Sequence, residues 1–149
     1  MKFKNTISEQ KIIFIDINWL FNFTQNIDER LKWDKQTTEI GFINDNTALE
    51  EGTGVFTKSK EGLHMETEYL SFYPPNKIAI KMINNSNLFK NFVGVWTYKS
   101  EQKKQTILQI TYQFNLQFPY TLITHLVKKK IRSNIIKKLN GLKNYINES

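Results

Sequence analysis

The strongest constraint on this chain is a change of hydrophobic period near its C-terminal end. Over Thr106–Leu116 the side chains alternate: Leu108, Ile110, Tyr112, Phe114 and Leu116 fall on one face, and Gln109, Thr111, Gln113 and Asn115 on the other. Such alternation predicts a strand covered on one side and wet on the other, as in an antiparallel sheet. Phe118-Pro119 ends it, and Pro119 suits a helix start. From Tyr120 to about Ile146, Ile123, Leu126, Val127, Ile131, Ile135, Leu139, Leu142 and Ile146 recur every three or four residues. That spacing predicts a long amphipathic helix of about seven turns at ~3.6 residues per turn. A sheet with one apolar face must bury it, and this helix is the large element the sequence offers as cover.

Upstream, residues 3–15 favour a strand, through Ile12, Ile13, Phe14 and Ile15. Asp16 suits the N-cap of a short helix in which Trp19, Leu20 and Phe23 share a face. A second short turn, Ile27 to Leu31, carries Asp28 and Glu29 near its start, where the helix dipole favours anions. Five further strands are predicted at Gln36–Ile43, Gly54–Lys60, Met65–Tyr73, Lys77–Ile83 and Phe89–Lys99. Turn-rich stretches separate them, among them Asn44-Asp45-Asn46, Pro74-Pro75-Asn76 and Asn84-Asn85-Ser86-Asn87. Ile78, Ile80 and Met82 share one strand face, as do Phe92, Gly94, Trp96 and Tyr98. The expected class is α+β: a seven-stranded antiparallel sheet wrapped around a long C-terminal helix, with two short helices between strands 1 and 2. A sheet curled around a helix can leave a mostly apolar cleft, the setting in which small ligands bind.

Composition narrows the chemistry. With 149 residues and 40% hydrophobic content, a single domain over residues 1–149 is expected. The absence of cysteine removes disulfides, Cys-ligated metals and a thiol nucleophile. The six glycines form no phosphate-cradling motif. The apolar run Ile12–Ile15 breaks at Asp16, short of the roughly 7–15 residues of a secretory core. No stretch approaches the ~18–20 apolar residues of a membrane span, so a soluble cytoplasmic protein is expected. Residues 1–127 carry 14 basic and 13 acidic side chains, whereas residues 128–149 carry 7 basic side chains and the lone acid Glu148. The excess charge therefore sits on the closing helix, either as a solvated face or as a surface for a phosphate-rich or anionic lipid partner.

These features resemble the START-like helix-grip superfamily, also called SRPBCC, which includes polyketide cyclases, coenzyme-Q-binding proteins, pollen-allergen-type proteins and lipid-transfer domains. Ile27-Asp28-Glu29-Arg30-Leu31-Lys32-Trp33 is similar to the family's "DPERWPEW" segment after the first helix, although the family's proline is missing. Gly52-Thr53-Gly54-Val55 resembles a recurring glycine entry to the third strand, and Tyr73-Pro74-Pro75-Asn76-Lys77-Ile78 resembles the "DPP" turn. Phe92-Val93-Gly94-Val95-Trp96 and Gln105-Thr106-Ile107-Leu108-Gln109-Ile110 are similar to the paired late strands. The Gly-rich loop of the plant allergen branch is absent. The resemblance implies a hydrophobic molecule bound in the cavity and, for most members, no fixed catalytic constellation.

Candidate chemical groups are few. His64 and His125 lie far apart in no metal-binding pattern, so neither a metal nor another cofactor is expected. Glu66 and Glu68 share a strand face; pointing inward they would form an acid–base pair, but Met65, Thr67 and Tyr69 make the better lining. Tyr69, Tyr98 and Tyr112 fall on inward faces, where they can fix the polar end of a greasy ligand, serve a cyclase as proton donors, or simply cap the core. Trp19, Phe23, Trp33, Phe92 and Trp96 read as core or cavity wall rather than a base-stacking surface, because the basic residues are not interleaved with them.

The expected function is non-catalytic binding, and possible transport, of a hydrophobic or amphipathic small molecule or lipid. The expected lining is Tyr69, Met82, Trp96, Leu108, Tyr112, Ile123 and Val127. Two alternatives stay open: a cyclase or dehydratase acting on a polyketide-like substrate through cavity tyrosines, and an RNA-, ribosome- or membrane-contacting module. The second would work through Lys128, Lys129, Lys130, Arg132, Lys137 and Lys138.

Overall fold

A computed structural model describes residues 2–148. Strand β1 (Asn5–Ile13) is followed by helix α1 (Ile17–Gln25), a 3-10 turn (Ile27–Glu29) and the one-turn helix α2 (Arg30–Trp33). Six strands then run consecutively: β2 (Thr37–Phe42), β3 (Gly54–Ser59), β4 (His64–Tyr73), β5 (Lys77–Met82), β6 (Phe89–Gln102) and β7 (Gln105–Leu116). A 3-10 turn (Tyr120–Ile123) leads into helix α3 (Thr124–Glu148). The seven strands form one antiparallel sheet in the order β1-β7-β6-β5-β4-β3-β2. Sequential strands are neighbours except at one point, where β1 closes against β7 across the whole chain, with Ile7 opposite Tyr112.

Asp16 caps α1 as the sequence predicts, its carboxylate accepting from the backbone N–H of Asn18 and Trp19 at 2.9 and 3.1 Å. The buried face of α1 is different from the expected one: Leu20, Phe21 and Thr24 point inward, whereas Trp19 is 44% exposed. Trp19 instead stacks on Phe23 at 4.8 Å, which in turn stacks on Tyr145 of α3 at 5.6 Å. The closing helix also begins later than expected. Tyr120 to Ile123 wind as a tight 3-10 turn behind Pro119, and regular α-helix starts at Thr124.

Breaks in register bend the sheet. Between β4 and β5 the pairing jumps from Tyr69–Ile80 to Ser71–Ala79, leaving Leu70 as the extra residue, and such bulges increase local twist. Similar shifts occur between β2 and β3 and at both ends of the β6–β7 ladder. The curled sheet encloses two different interiors. Toward the C-terminal half of α3, Ile135, Leu139 and Leu142 join Ile13, Leu20, Phe21 and Leu108 in a solid core. Gly141 makes this approach possible: a Cβ there would lie 2.9 Å from the Trp33 carbonyl oxygen. Beside the N-terminal half of α3 the layers do not meet.

Candidate functional site

The gap between the sheet and the first half of α3 is a cavity of about 610 Å³, within the ~300–1,000 Å³ range of small-molecule sites. Its sheet wall comes from the inward positions of successive strands: Val55 on β3, Met65, Thr67 and Tyr69 on β4, Ile78 and Ile80 on β5, Phe89, Phe92 and Trp96 on β6, and Tyr112 on β7. Helix α3 supplies Val127, Ile131, Asn134 and Lys138, and the preceding turn supplies Tyr120 and Ile123. Tyr120, Ile123 and Leu126 are between 36% and 52% exposed, which makes that side the mouth.

Five of the seven expected lining residues border this cavity: Tyr69, Trp96, Tyr112, Ile123 and Val127. Leu108 and Met82 do not. Leu108 does face inward, but it is fully buried opposite Tyr98, on the part of the sheet that α1 covers through the Phe21–Tyr98 ring contact. Met82 ends β5, half-buried against the core, and Ile78 and Ile80 take the wall on the same strand. Glu66 and Glu68 lie off the cavity lining, with Glu66 3.4 Å from His64. His125 is exposed on α3.

The buried end of the cavity is polar, and there the residues were less legible. Asp34, directly after α2, is fully buried. Its Oδ2 accepts from Arg30 Nε at 2.7 Å and Thr37 Oγ1 at 2.8 Å, and its Oδ1 from the Gln36 backbone N–H at 3.0 Å. Lys138 Nζ reaches in from α3 to 3.5 Å from the same Oδ2 and donates to Tyr112 Oη at 3.5 Å. Burial alone would push the Asp34 carboxyl up. The charges of Lys138 and Arg30, with the hydrogen bonds from Arg30 and Thr37, outweigh it and hold the carboxyl well below the usual carboxylate range. For Arg30, burial works against the charge, but Asp34 beside it raises the guanidinium above its ordinary value. The Arg30 guanidinium carbon also lies over the rings of Trp33 and Trp96, at 5.3 and 5.0 Å.

Lys138 belongs, by sequence, to the exposed basic face, whether solvated or partner-binding; the structure instead buries it. The signal was its place on the helix: three residues after Ile135 and four before Leu142, it occupies the apolar stripe itself.

A second polar chain crosses from Tyr69 to α1. Tyr69 Oη donates to Gln25 Oε1 at 3.1 Å, and Gln25 Nε2 donates to Tyr98 Oη at 2.8 Å. Tyr98 Oη and Thr24 Oγ1 are 2.7 Å apart, and Thr24 gives its own proton to the Leu20 carbonyl at 2.8 Å. Burial pushes the Tyr69 hydroxyl up to about 12, despite the opposing pull of Arg30. Burial raises Tyr98 as well, against its hydrogen bonds with Thr24 and Gln25. Both phenols are therefore neutral groups spent on the protein's own hydrogen bonds. Tyr112 differs: among the described residues its hydroxyl proton has no acceptor, and its ring borders the cavity.

No protein-family model matches the sequence, and no curated protein is significantly similar to it. Solved structures do match. The di-domain ARO/CYC BexL of the BE-7585A biosynthetic pathway superposes with a TM-score of 0.78 at 7% identity, over 96% of this chain. This chain spans about half of that longer protein, 46% of its length. The ZhuI aromatase/cyclase from Streptomyces sp. R1128 gives a TM-score of 0.81 at 10% identity, covering 94% of this chain and 92% of the other. A START superfamily protein from Mycobacterium smegmatis gives 0.72 at 11% identity, covering 95% and 98%. At such identities the likeness is one of fold. The chain has the START-like helix-grip fold, a curled seven-stranded antiparallel sheet closed by a long C-terminal helix.

Proposed function

We propose that this protein, as one domain over residues 1–149, binds a hydrophobic or amphipathic small molecule between the sheet and α3, and does so without catalysis. The observation that carries this reading is the unfilled, largely apolar space of about 610 Å³ where sheet and helix part. Apolar burial supplies affinity, at roughly 25 cal/mol per Å² removed from water. The few polar groups at the buried end supply orientation. The aromatase/cyclase and START superfamily structures of the same fold are in keeping with a cavity of this use. Tyr69 and Tyr98 are held neutral and engaged with Gln25 and Thr24, which favours binding over proton transfer through those two hydroxyls.

The basic-surface alternative has less to work with than the sequence offered. Lys138 is buried in the cavity cluster, and Arg132 is engaged by Glu9 at 2.8 Å. Pyrene, a neutral apolar fluorophore, tests the cavity reading directly. It is expected to bind in one saturable site with a shift of its vibronic emission toward the apolar pattern, and Val127→Trp is expected to block it. Unsaturable or absent uptake by folded protein contradicts the reading.

A further inference from the structure

The polar end of the cavity contains more positive charge than it can neutralise internally. Two cations, the part-buried Arg30 and the buried Lys138, face a single carboxylate, Asp34; their side chains are 14%, 8% and 0% exposed. The other charged lining residues, Glu61 and Lys130, are exposed and solvated. Burying an uncompensated charge is costly unless a counter-charge arrives with a ligand.

Hydrogen-bonding capacity points the same way. Asp34 has its oxygens occupied by Arg30, Thr37, Gln36 and Lys138. Arg30 spends its Nε–H on Asp34, and among the described residues its remaining guanidinium donors have no acceptor. Lys138 makes two long contacts of 3.5 Å, and the Tyr112 hydroxyl proton is unspent. Within the cluster of Arg30, Lys138 and Tyr112, donors outnumber the acceptors that Asp34 offers, so the group the cluster lacks is an acceptor. One surplus positive charge matches a monoanion, and a carboxylate accepts from a guanidinium fork in bidentate fashion.

We infer that the ligand is an apolar monocarboxylic acid whose carboxylate sits among Arg30, Lys138 and Tyr112, with its hydrocarbon body along the Phe92 and Val127 walls toward the mouth. This deepens the proposed function and rests on it. Arg30 is already aimed for the task, fixed by Asp34 and by the rings of Trp33 and Trp96. The site is thus preorganised before the ligand arrives.

Calorimetric titration of delipidated protein at neutral pH with palmitic acid and with cetyl alcohol, which share a chain length and differ in the head group, tests the inference. The acid is expected to bind at least about 10-fold tighter, the size of one charge-assisted hydrogen bond. Lys138→Met leaves Arg30 and Asp34 as a balanced pair and is expected to cut that preference at least several-fold while alcohol binding persists. Lys137→Met, on the exposed side of α3, is expected to keep it. Equal or tighter binding of the alcohol by the wild-type protein overturns the carboxylate assignment and leaves the cavity reading standing. A full acid preference in Lys138→Met overturns the placement of the head group. If neither compound nor pyrene binds, both readings fall.

Discussion

Lys138 on α3 places its Nζ 3.5 Å from Oδ2 of Asp34, which follows α2, so the closing helix is tied to the start of the chain through a buried charge pair. Arg30 completes the cluster from the other side at 2.7 Å. Removing the shared anion strands the buried Lys138 and the part-buried Arg30 without their counter-charge. Asp34→Asn is therefore expected to destabilise the fold by about 3–5 kcal/mol, measured by urea unfolding at neutral pH.

The same carboxylate gives a pH dependence with a fixed sign. Its folded-state pKa is held below the ordinary value, by Lys138 and Arg30 against the effect of burial. The unfolded chain then takes up the proton first as pH falls. Stability from this group is complete above the unfolded value of ~3.9 and declines below it as pH drops toward the lower folded value. Urea midpoints followed from pH 7 to pH 3 are expected to fall more steeply below pH ~4 in the wild type than in Asp34→Asn.

Gly141 reverses an ordinary rule. Glycine inside a helix is usually improved by alanine, by roughly 0.5–1 kcal/mol. Here the added Cβ would meet the Trp33 carbonyl oxygen at 2.9 Å, with backbone on both sides of the contact. Gly141→Ala is expected to cost about 1–3 kcal/mol and to loosen the α2–α3 junction, read as faster amide exchange at Asp34 and in the middle of α3.

The tyrosines separate by their partners. Tyr98→Phe strips a buried hydroxyl from Gln25 and Thr24, and a loss of about 1–3 kcal/mol is expected. Tyr112→Phe gives up one 3.5 Å contact, so a smaller stability change of about 0.5 kcal/mol is expected together with weaker carboxylate binding. Thermal melts paired with palmitate titration distinguish the two.

The architecture was legible because period-two faces and one long three-to-four stripe leave little choice of layers. The inward faces of β4, β6 and β7 and the run of Ile123, Val127 and Ile131 follow from spacing alone. What spacing does not encode is depth along a strand. Leu108 and Tyr112 share a face, yet α1 covers the first and the cavity opens over the second. Charge was misjudged for a related reason. Lysine and arginine are usually solvated; Arg30 has Asp34 four residues on as a local partner, but only the packing of α3 against α2 brings Lys138 to the same buried carboxylate.

Native mass spectrometry of protein purified from its own host reads the occupancy of the cavity without a chosen probe. Ligand binding in the cavity predicts a population carrying an added mass of a few hundred daltons, released on denaturation as an apolar small molecule. A spectrum of bare protein alone, joined with failure of the emptied cavity to take up pyrene, would contradict it.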